Sequence, residues 1–314
     1  MIITVTLNPS IDRTLYLGKL EKGAINRVNA VQIDPGGKGV NVSRTLQAYG
    51  AKTFAVAVGG GLSAKWLSTA LEDQKIKHKI ITTSNPVRTN VTVVEESGVV
   101  TKINEPGSTV DAMTMNLLKK TIGKMWLKNN WVVIAGQPST ETNQNAYPEL
   151  VNYSKSKGAY VAVDASGEVL LELLNVVKPD LIKPNQQELS ILAGYPINTI
   201  KQAVDACKEI VERGVKTVLC SLGADGALFV DNKQVVYAEP SKQVSGVPVG
   251  AGDVLLAVFI AAGRDSKALK EAVAWSAASV SLPGTSIPNQ EQADVIEVSI
   301  RKDIDLQKEL VDTR

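Results

Sequence analysis

Gly250-Ala251-Gly252-Asp253 packs the most chemistry into the fewest residues. Small residues let a backbone turn tightly and come close to a ligand. The apolar run Val254 to Ile260 that follows reads as a helix, whose first-turn N–H groups and positive dipole end attract an anion. A carboxylate there has two readings. Asp253 caps the helix or complements its dipole, or it takes the proton of an attacking hydroxyl beside a phosphate cradle. Three further groups bear on the choice. Lys183, Asn185 and Glu188 open a helix, where the lysine can meet a phosphate as a point charge and the carboxylate can hold Mg²⁺, directly or through water, with Asn185 assisting. The turn Ser221 to Gly226 offers backbone N–H groups without bulky side chains, as a nucleotide needs. Gly36-Gly37-Lys38-Gly39 opens another helix. Gly39 stands where a Walker A motif needs Ser or Thr, so this is a phosphate- or sugar-binding corner of another kind, or a plain tight turn. Arg88 has the planar fork that suits a phosphate.

These residues must sit on a scaffold. The 314-residue chain is 44% apolar and 21% charged, ordinary for a globular protein and long enough for one large α/β domain. Its formal net charge of +2 implies no basic surface for nucleic acid. Two cysteines, Cys207 and Cys220, suggest buried thiols in a reducing compartment rather than a disulfide framework. The single histidine, His78, is expected at a surface helix end, and one histidine with two separated cysteines makes a poor zinc site. No apolar run reaches membrane-spanning length, and Met1 to Val5 reads as a strand rather than a leader. A cytoplasmic enzyme is expected. Gly59, Gly61 and Ala64 match a dinucleotide fingerprint, but Ile80, Ile81 and Thr82 stand where it needs an acidic residue.

Met1 to Leu7 reads as a buried strand. Alternating runs at Ile11–Leu17 and Ile25–Ile33, and a hairpin pattern around Glu96-Ser97-Gly98, suggest a small separate β-sheet. From residue 111 strands and helices alternate, starting with a helix from Asp111 to about Lys128, which predicts a mostly parallel sheet. Ligands bind such sheets at the carboxyl ends of the strands. The polar motifs fall at those ends: Asn8 to Asp12, Gly136, Asp164, Lys183 to Glu188 and Ser221 to Gly226.

Five segments together identify a relative. They are Thr6-Leu7-Asn8-Pro9-Ser10-Ile11-Asp12, Pro35-Gly36-Gly37-Lys38-Gly39-Val40-Asn41-Val42-Ser43-Arg44, Lys183-Pro184-Asn185-Gln186-Gln187-Glu188-Leu189, Ser221-Leu222-Gly223-Ala224-Asp225-Gly226-Ala227 and Gly250-Ala251-Gly252-Asp253. With them the chain resembles the ribokinase-like, PfkB-type carbohydrate kinases over essentially its whole length, and most of all their hexose-phosphate branch, 1-phosphofructokinase and tagatose-6-phosphate kinase. The resemblance implies one kinase domain over 1–314, a doubly wound α/β sheet with helices on both faces, and β-lid strands inserted at about 11–34 and 87–105. It implies ATP and Mg²⁺ as cofactors, a sugar phosphate as substrate, and a homodimer formed through the lid. Asp253 would be the catalytic base, with the amides of Gly250, Ala251 and Gly252 stabilising the transferring phosphoryl group. Asp12, Gly37, Lys38 and Asn41 would contact the sugar phosphate, and Arg88 and Arg27 its phosphate. Lys183 and Asn185 would meet the triphosphate, Glu188 the Mg²⁺, and Ser221, Gly223 and Gly226 the nucleotide. The chain departs from the family's usual residues at Pro248, Val254, Phe259 and Gly136-Gln137-Pro138. The implied reaction is phosphorylation of a ketohexose monophosphate, with fructose 1-phosphate first and tagatose 6-phosphate or fructose 6-phosphate as alternatives. A sugar-phosphate-binding regulator that has lost catalysis is the reading from another class.

Overall fold

The computed structural model describes residues 1–311 except 126, 127, 140, 141, 144, 247, 248 and 302. β1 (Ile2–Thr6) is buried along its whole length, as a strand inside a parallel sheet must be. The chain then leaves the main sheet for an antiparallel hairpin, β2 (Ser10–Leu17) and β3 (Ala30–Gly36). α1 (Lys38–Ala48) returns it to β4 (Thr53–Gly60), which pairs with β1. α2 (Gly61–Asp73) leads to β5 (His78–Pro86), the edge of the main sheet. β6 (Arg88–Glu95) and β7 (Val100–Asn104) rejoin the hairpin and complete a smaller sheet of order β3-β2-β6-β7.

Regular alternation follows: α3 (Ala112–Gly123), β8 (Trp131–Ala135), α4 (Ala146–Ser156), β9 (Tyr160–Asp164), α5 (Gly167–Val176), β10 (Leu181–Ile182), α6 (Gln186–Ala193), α7 (Ile200–Glu212) and β11 (Thr217–Ser221). The strands from β4 through β1, β8, β9, β10 and β11 are mutually parallel, so their carboxyl ends share one rim. β12 (Ala227–Asp231) and β13 (Val235–Pro240) extend the sheet antiparallel. After α8 (Ala251–Ala262), α9 (Ser266–Val280) and α10 (Gln290–Asp294), β14 (Val298–Arg301) closes the far edge. Successive strand residues point to opposite faces, and each face feeds its own core. Ile3, Val5, Val132 and Ile134 join residues of α3 to α7, while Ile2, Trp131 and Val133 join α1, α8 and α9. α8 is apolar nearly all round because it lies between α1 and α9.

Some expectations are corrected and others are met. His78 begins β5 rather than ending a helix, and its ring contacts Ser68 Oγ at 2.8 Å and the carbonyl of Ile76 at 2.9 Å. The strand expected over Ile25–Ile33 begins only at Ala30, and Ile25 is exposed in the preceding loop. α3 ends at Gly123 rather than near Lys128. The glycines of the dinucleotide-like turn serve packing, since a Cβ on Gly59 would stand 2.4 Å from Val87 Cγ2 and Gly61 has a positive φ of 70°. Cys207 and Cys220 are buried free thiols. Val254 and Phe259 fill the α8 core, where Phe259 meets the Phe229 ring at 5.2 Å. Pro248 lies outside the described residues. Among those described, no helix is long and apolar enough to cross a membrane.

Candidate active site

Four loops at the carboxyl rim bring the polar residues together. At the start of α8, Gly250 is the N-cap in a left-handed conformation (φ 81°) that disfavours any other residue. Its carbonyl accepts from the amides of Asp253 (2.9 Å) and Val254 (3.1 Å). Among the described residues nothing accepts from the amides of Gly250, Ala251 or Gly252. These are the orphan donors of a helix start, held in a small-residue loop where an anion can reach them. Asp253 is in the first turn but does not cap it. Its carboxyl is 5% exposed, and Oδ2 accepts from Asn41 Nδ2 at 2.9 Å. Burial, reinforced by the charge of Asp164, pushes its pKa up to about 7, against the pull of Lys38, Asn41 and Lys183. The capping reading therefore gives way to a group that changes protonation near neutral pH.

Asn41 is itself held. The Arg44 side chain, one turn further along α1, is buried and donates through Nη1 to Asn41 Oδ1 (3.3 Å), to the carbonyl of Pro35 (3.2 Å) and to that of Thr285 (3.0 Å). Its Nη2 lies 3.4 Å from Asp34 on β3. One arginine thus ties the hydrogen-bond partner of Asp253 to the smaller sheet and to the loop after α9.

Asp164, at the end of β9, is fully buried and bridges two lysines. Its Oδ1 is 2.7 Å from Lys38 Nζ and its Oδ2 3.3 Å from Lys183 Nζ. Burial alone would raise its pKa, but Lys183 and Lys38 reverse the sign and hold it ionised. Lys183 is 4% exposed, and its ammonium would lie 3.0 Å from a Cβ on Gly252. A side chain at Gly252 would therefore crowd the lysine and require its ammonium to shift. Lys38, expected at the sugar phosphate, lies against Asp164 and 3.8 Å from Glu188, and so shares the Asp164 carboxylate with Lys183. Asn185 and Glu188 form a reciprocal capping box on α6: Asn185 Oδ1 accepts from the Glu188 amide at 2.8 Å, and Glu188 Oε2 accepts from the Asn185 amide at 2.9 Å. Glu188 Oε1 is the oxygen facing Lys38. The Ser221 amide donates to the carbonyl of Pro184 at 3.0 Å and so stitches the β10 and β11 ends together. The turn after β11 is closed by Leu222 N–H on the Gly226 carbonyl at 2.8 Å.

The smaller sheet supplies the opposite wall. Asp12 accepts from Ser10 Oγ (2.7 Å) and Asn90 Nδ2 (3.1 Å), and burial raises its pKa despite these bonds. Arg88 pairs with Ser10 across β2 and β6, so Arg88 and Asp12 share a face. Arg88 Nη1 donates to the Glu105 carbonyl at 2.9 Å, and its buried Nε has no partner. Gly37 packs against Pro9 at the start of α1. Arg27 is not brought in. It is exposed beyond the Tyr16–Ala30 end of the hairpin, four residues or about 13 Å along the strand from Asp12. Asp164, Arg44 and Asn90 carry the geometry without having been assigned roles from sequence. Asp164's position at a strand end was the only local signal.

A family model described as pfkB family carbohydrate kinase matches residues 5–292. The chain belongs to that family. This kinase is 32% identical to a 1-phosphofructokinase of Bacillus subtilis, over 87% of this chain and 88% of the relative. It is 31% identical to a tagatose-6-phosphate kinase of Staphylococcus epidermidis, over 94% and 97%. The phosphofructokinase-2 of Escherichia coli, solved in complex with substrates and products, superposes with a TM-score of 0.88 at 28% identity, over 94% of this chain and 97% of that one. Membership makes this chain a carbohydrate kinase that uses ATP, with the ribokinase-like α/β fold.

Proposed function

We propose that the kinase transfers the terminal phosphoryl group of ATP to a hydroxyl of a ketohexose monophosphate, fructose 1-phosphate first among them, giving a bisphosphate. The observation that carries the reading is the buried Asp253 carboxyl, its pKa pushed up to about 7 by burial, beside the amides of Gly250 to Gly252, which have no acceptor among the described residues. A hydroxyl placed there meets a base for its proton and donors for the oxygens of the incoming phosphoryl group. Asn41 orients the base, Lys183 and Lys38 supply positive charge on the donor side, and the Ser221, Gly223 and Gly226 turn lines the nucleotide. Asp12 holds sugar hydroxyls, and Arg88, with its unpartnered Nε, faces the substrate phosphate. Arg27 is retained as a further phosphate contact only when the loop before β3 moves or another subunit supplies it.

The donor set suits Mg²⁺. Among the described residues no cluster of three acidic, His or Cys side chains forms a cage. Glu188 offers one carboxylate edge, and Mg²⁺ in phosphoryl transfer takes most of its shell from water and phosphate. When bound it would neutralise charge on the phosphate oxygens. The outer face of the smaller sheet, with Val31, Ile33 and Ile103 at 45%, 45% and 59% exposure, supports a homodimer through this lid.

ADP release measured with fructose 1-phosphate, fructose 6-phosphate, tagatose 6-phosphate and free fructose tests the proposal. The highest kcat/KM is expected with fructose 1-phosphate and the lowest with fructose, which leaves Arg88 without an anion. A preference for free fructose overturns the substrate class. No ADP with any of them overturns catalysis and leaves a sugar-phosphate-binding regulator.

A further inference from the structure

The turn proposed to hold the nucleotide is weak on its own. Gly223 and Gly226 both have positive φ (60° and 88°), and only short backbone bonds close it: Leu222 to Gly226, Asp225 to Leu222 and Gly226 to Gly223. Such a backbone has many conformations to lose. What fixes it comes from the other end of the chain. After β14 the segment 304–311 doubles back along the start of α7. The amides of Ile200 and Lys201 donate to the carbonyls of Lys308 and Leu306, both at 3.0 Å, and the amide of Leu310 donates to that of Asn198 at 2.9 Å. Ile304 and Leu310 pack on the core.

From this anchored strap, Lys308 Nζ reaches Asp225 Oδ1 at 3.1 Å, Glu239 Oε2 at 2.7 Å and the Tyr237 hydroxyl at 2.9 Å. The Val311 amide donates to the other Asp225 oxygen, Oδ2, at 2.8 Å. The Tyr237 hydroxyl also lies 2.6 Å from the Asp225 carbonyl oxygen. Asp225 is buried, and a buried carboxylate stays where its partners are because leaving them uncompensated is costly. Both partners of its carboxylate are on the strap, and the β13 hydroxyl of Tyr237 donates to its backbone carbonyl. We infer that Lys308 is a positioning residue for the donor nucleotide: through Asp225 it holds the Gly223–Gly226 backbone in the conformation that meets ATP. It touches neither substrate, and it acts on one of the two.

This rests on the assignment of Ser221, Gly223 and Gly226 to the nucleotide, and the test separates the two. Steady-state kinetics with both substrates varied, and calorimetric binding of ADP, are measured for Lys308→Met, Lys308→Gln, Lys308→Arg and Gly223→Ala. The inference expects Lys308→Met and Lys308→Gln to raise the KM for ATP and the Kd for ADP about tenfold, which is about 1.4 kcal/mol. kcat and the KM for the sugar phosphate should stay within about twofold, since the coupling acts on one substrate. Lys308→Arg should recover most of the loss, and amide exchange in residues 222–226 should quicken in the Met and Gln variants but not in Lys308→Arg. Weakened ADP binding in Gly223→Ala with normal binding in both Lys308→Met and Lys308→Gln overturns the role of Lys308. Equal losses for both substrates overturn it too, as a general loss of structure. Unchanged ADP binding in Gly223→Ala removes the nucleotide assignment itself, and the inference with it.

Discussion

Burial pushes the Asp253 pKa up to about 7, which bears on stability and, with Asp253 as the proposed base, on rate. The base must be ionised to act, so kcat/KM should fall below an acid limb near pH 7, read from a pH profile of the free enzyme. Asp253→Asn removes the acceptor and should cost roughly 10²- to 10⁴-fold in kcat, with ADP binding retained in calorimetry. Because its pKa is raised, the folded protein holds this proton more tightly than the unfolded chain. The site therefore favours folding at acid pH and loses that contribution as pH rises through about 7. Every tenfold gain in proton affinity on folding is worth about 1.4 kcal/mol. Asp253→Asn should accordingly melt a few degrees higher than the parent at pH 8, with the difference gone by pH 4. At this scale sequence reading found the residues whose neighbours announce them, Asp253 among small residues and Lys183, Asn185 and Glu188 at a helix start. It placed Asp164 at a strand end but gave it no role, because the partner that gives it meaning, Lys38, is 126 residues away.

Elements were legible where burial leaves one pattern. β1, β8 and β9 are covered on both faces and read as nearly unbroken apolar runs. β5 was missed because it is the edge strand, with mostly exposed or half-exposed residues and no clean alternation. The hairpin's first loop resembles a strand because Ile25 and Val28 are apolar yet exposed. Helix ends expose a further point, since Asn185 serves both as cap and as proposed phosphate contact. Asn185→Ala should cost about 1 kcal/mol of stability in chemical denaturation and also raise the KM for ATP. Asp111→Ala is the matched control. Its carboxylate accepts from the Thr114 amide at 2.7 Å and caps α3, and it is not among the residues proposed to bind either substrate. The same loss of stability with unchanged kinetics is expected there. If the two variants behave alike in KM, Asn185 is a cap and nothing more.

Across the whole molecule, the ten-stranded sheet and its helices carry the residues proposed for the donor, and the small sheet carries those proposed for the acceptor. Arg44 joins them, and Gln32 on β3 reaches Ser286 Oγ at 3.2 Å on the far side. The polar face of that sheet turns inward. On the outer face, one rung places Ile33, Arg13, Val91 and Ile103 side by side. Ile33→Lys, tested by sedimentation, should shift a dimer to monomer. An unchanged mass, dimer or monomer, would show that this face does not carry the assembly. The doubly wound architecture was legible because strand–helix alternation leaves few topologies. The antiparallel end strands were less so, since β13 and β14 are short and joined by three helices.

β1 has a cost of another kind. It is made before both of its neighbours, β4 and β8. One of its edges therefore waits for a partner some 130 residues downstream, on the order of ten seconds on a ribosome. For that interval the nascent chain shows an apolar strand with an open edge, the form most prone to pair with the wrong chain. Chaperone dependence during synthesis, rather than instability of the finished enzyme, is where this fold is exposed.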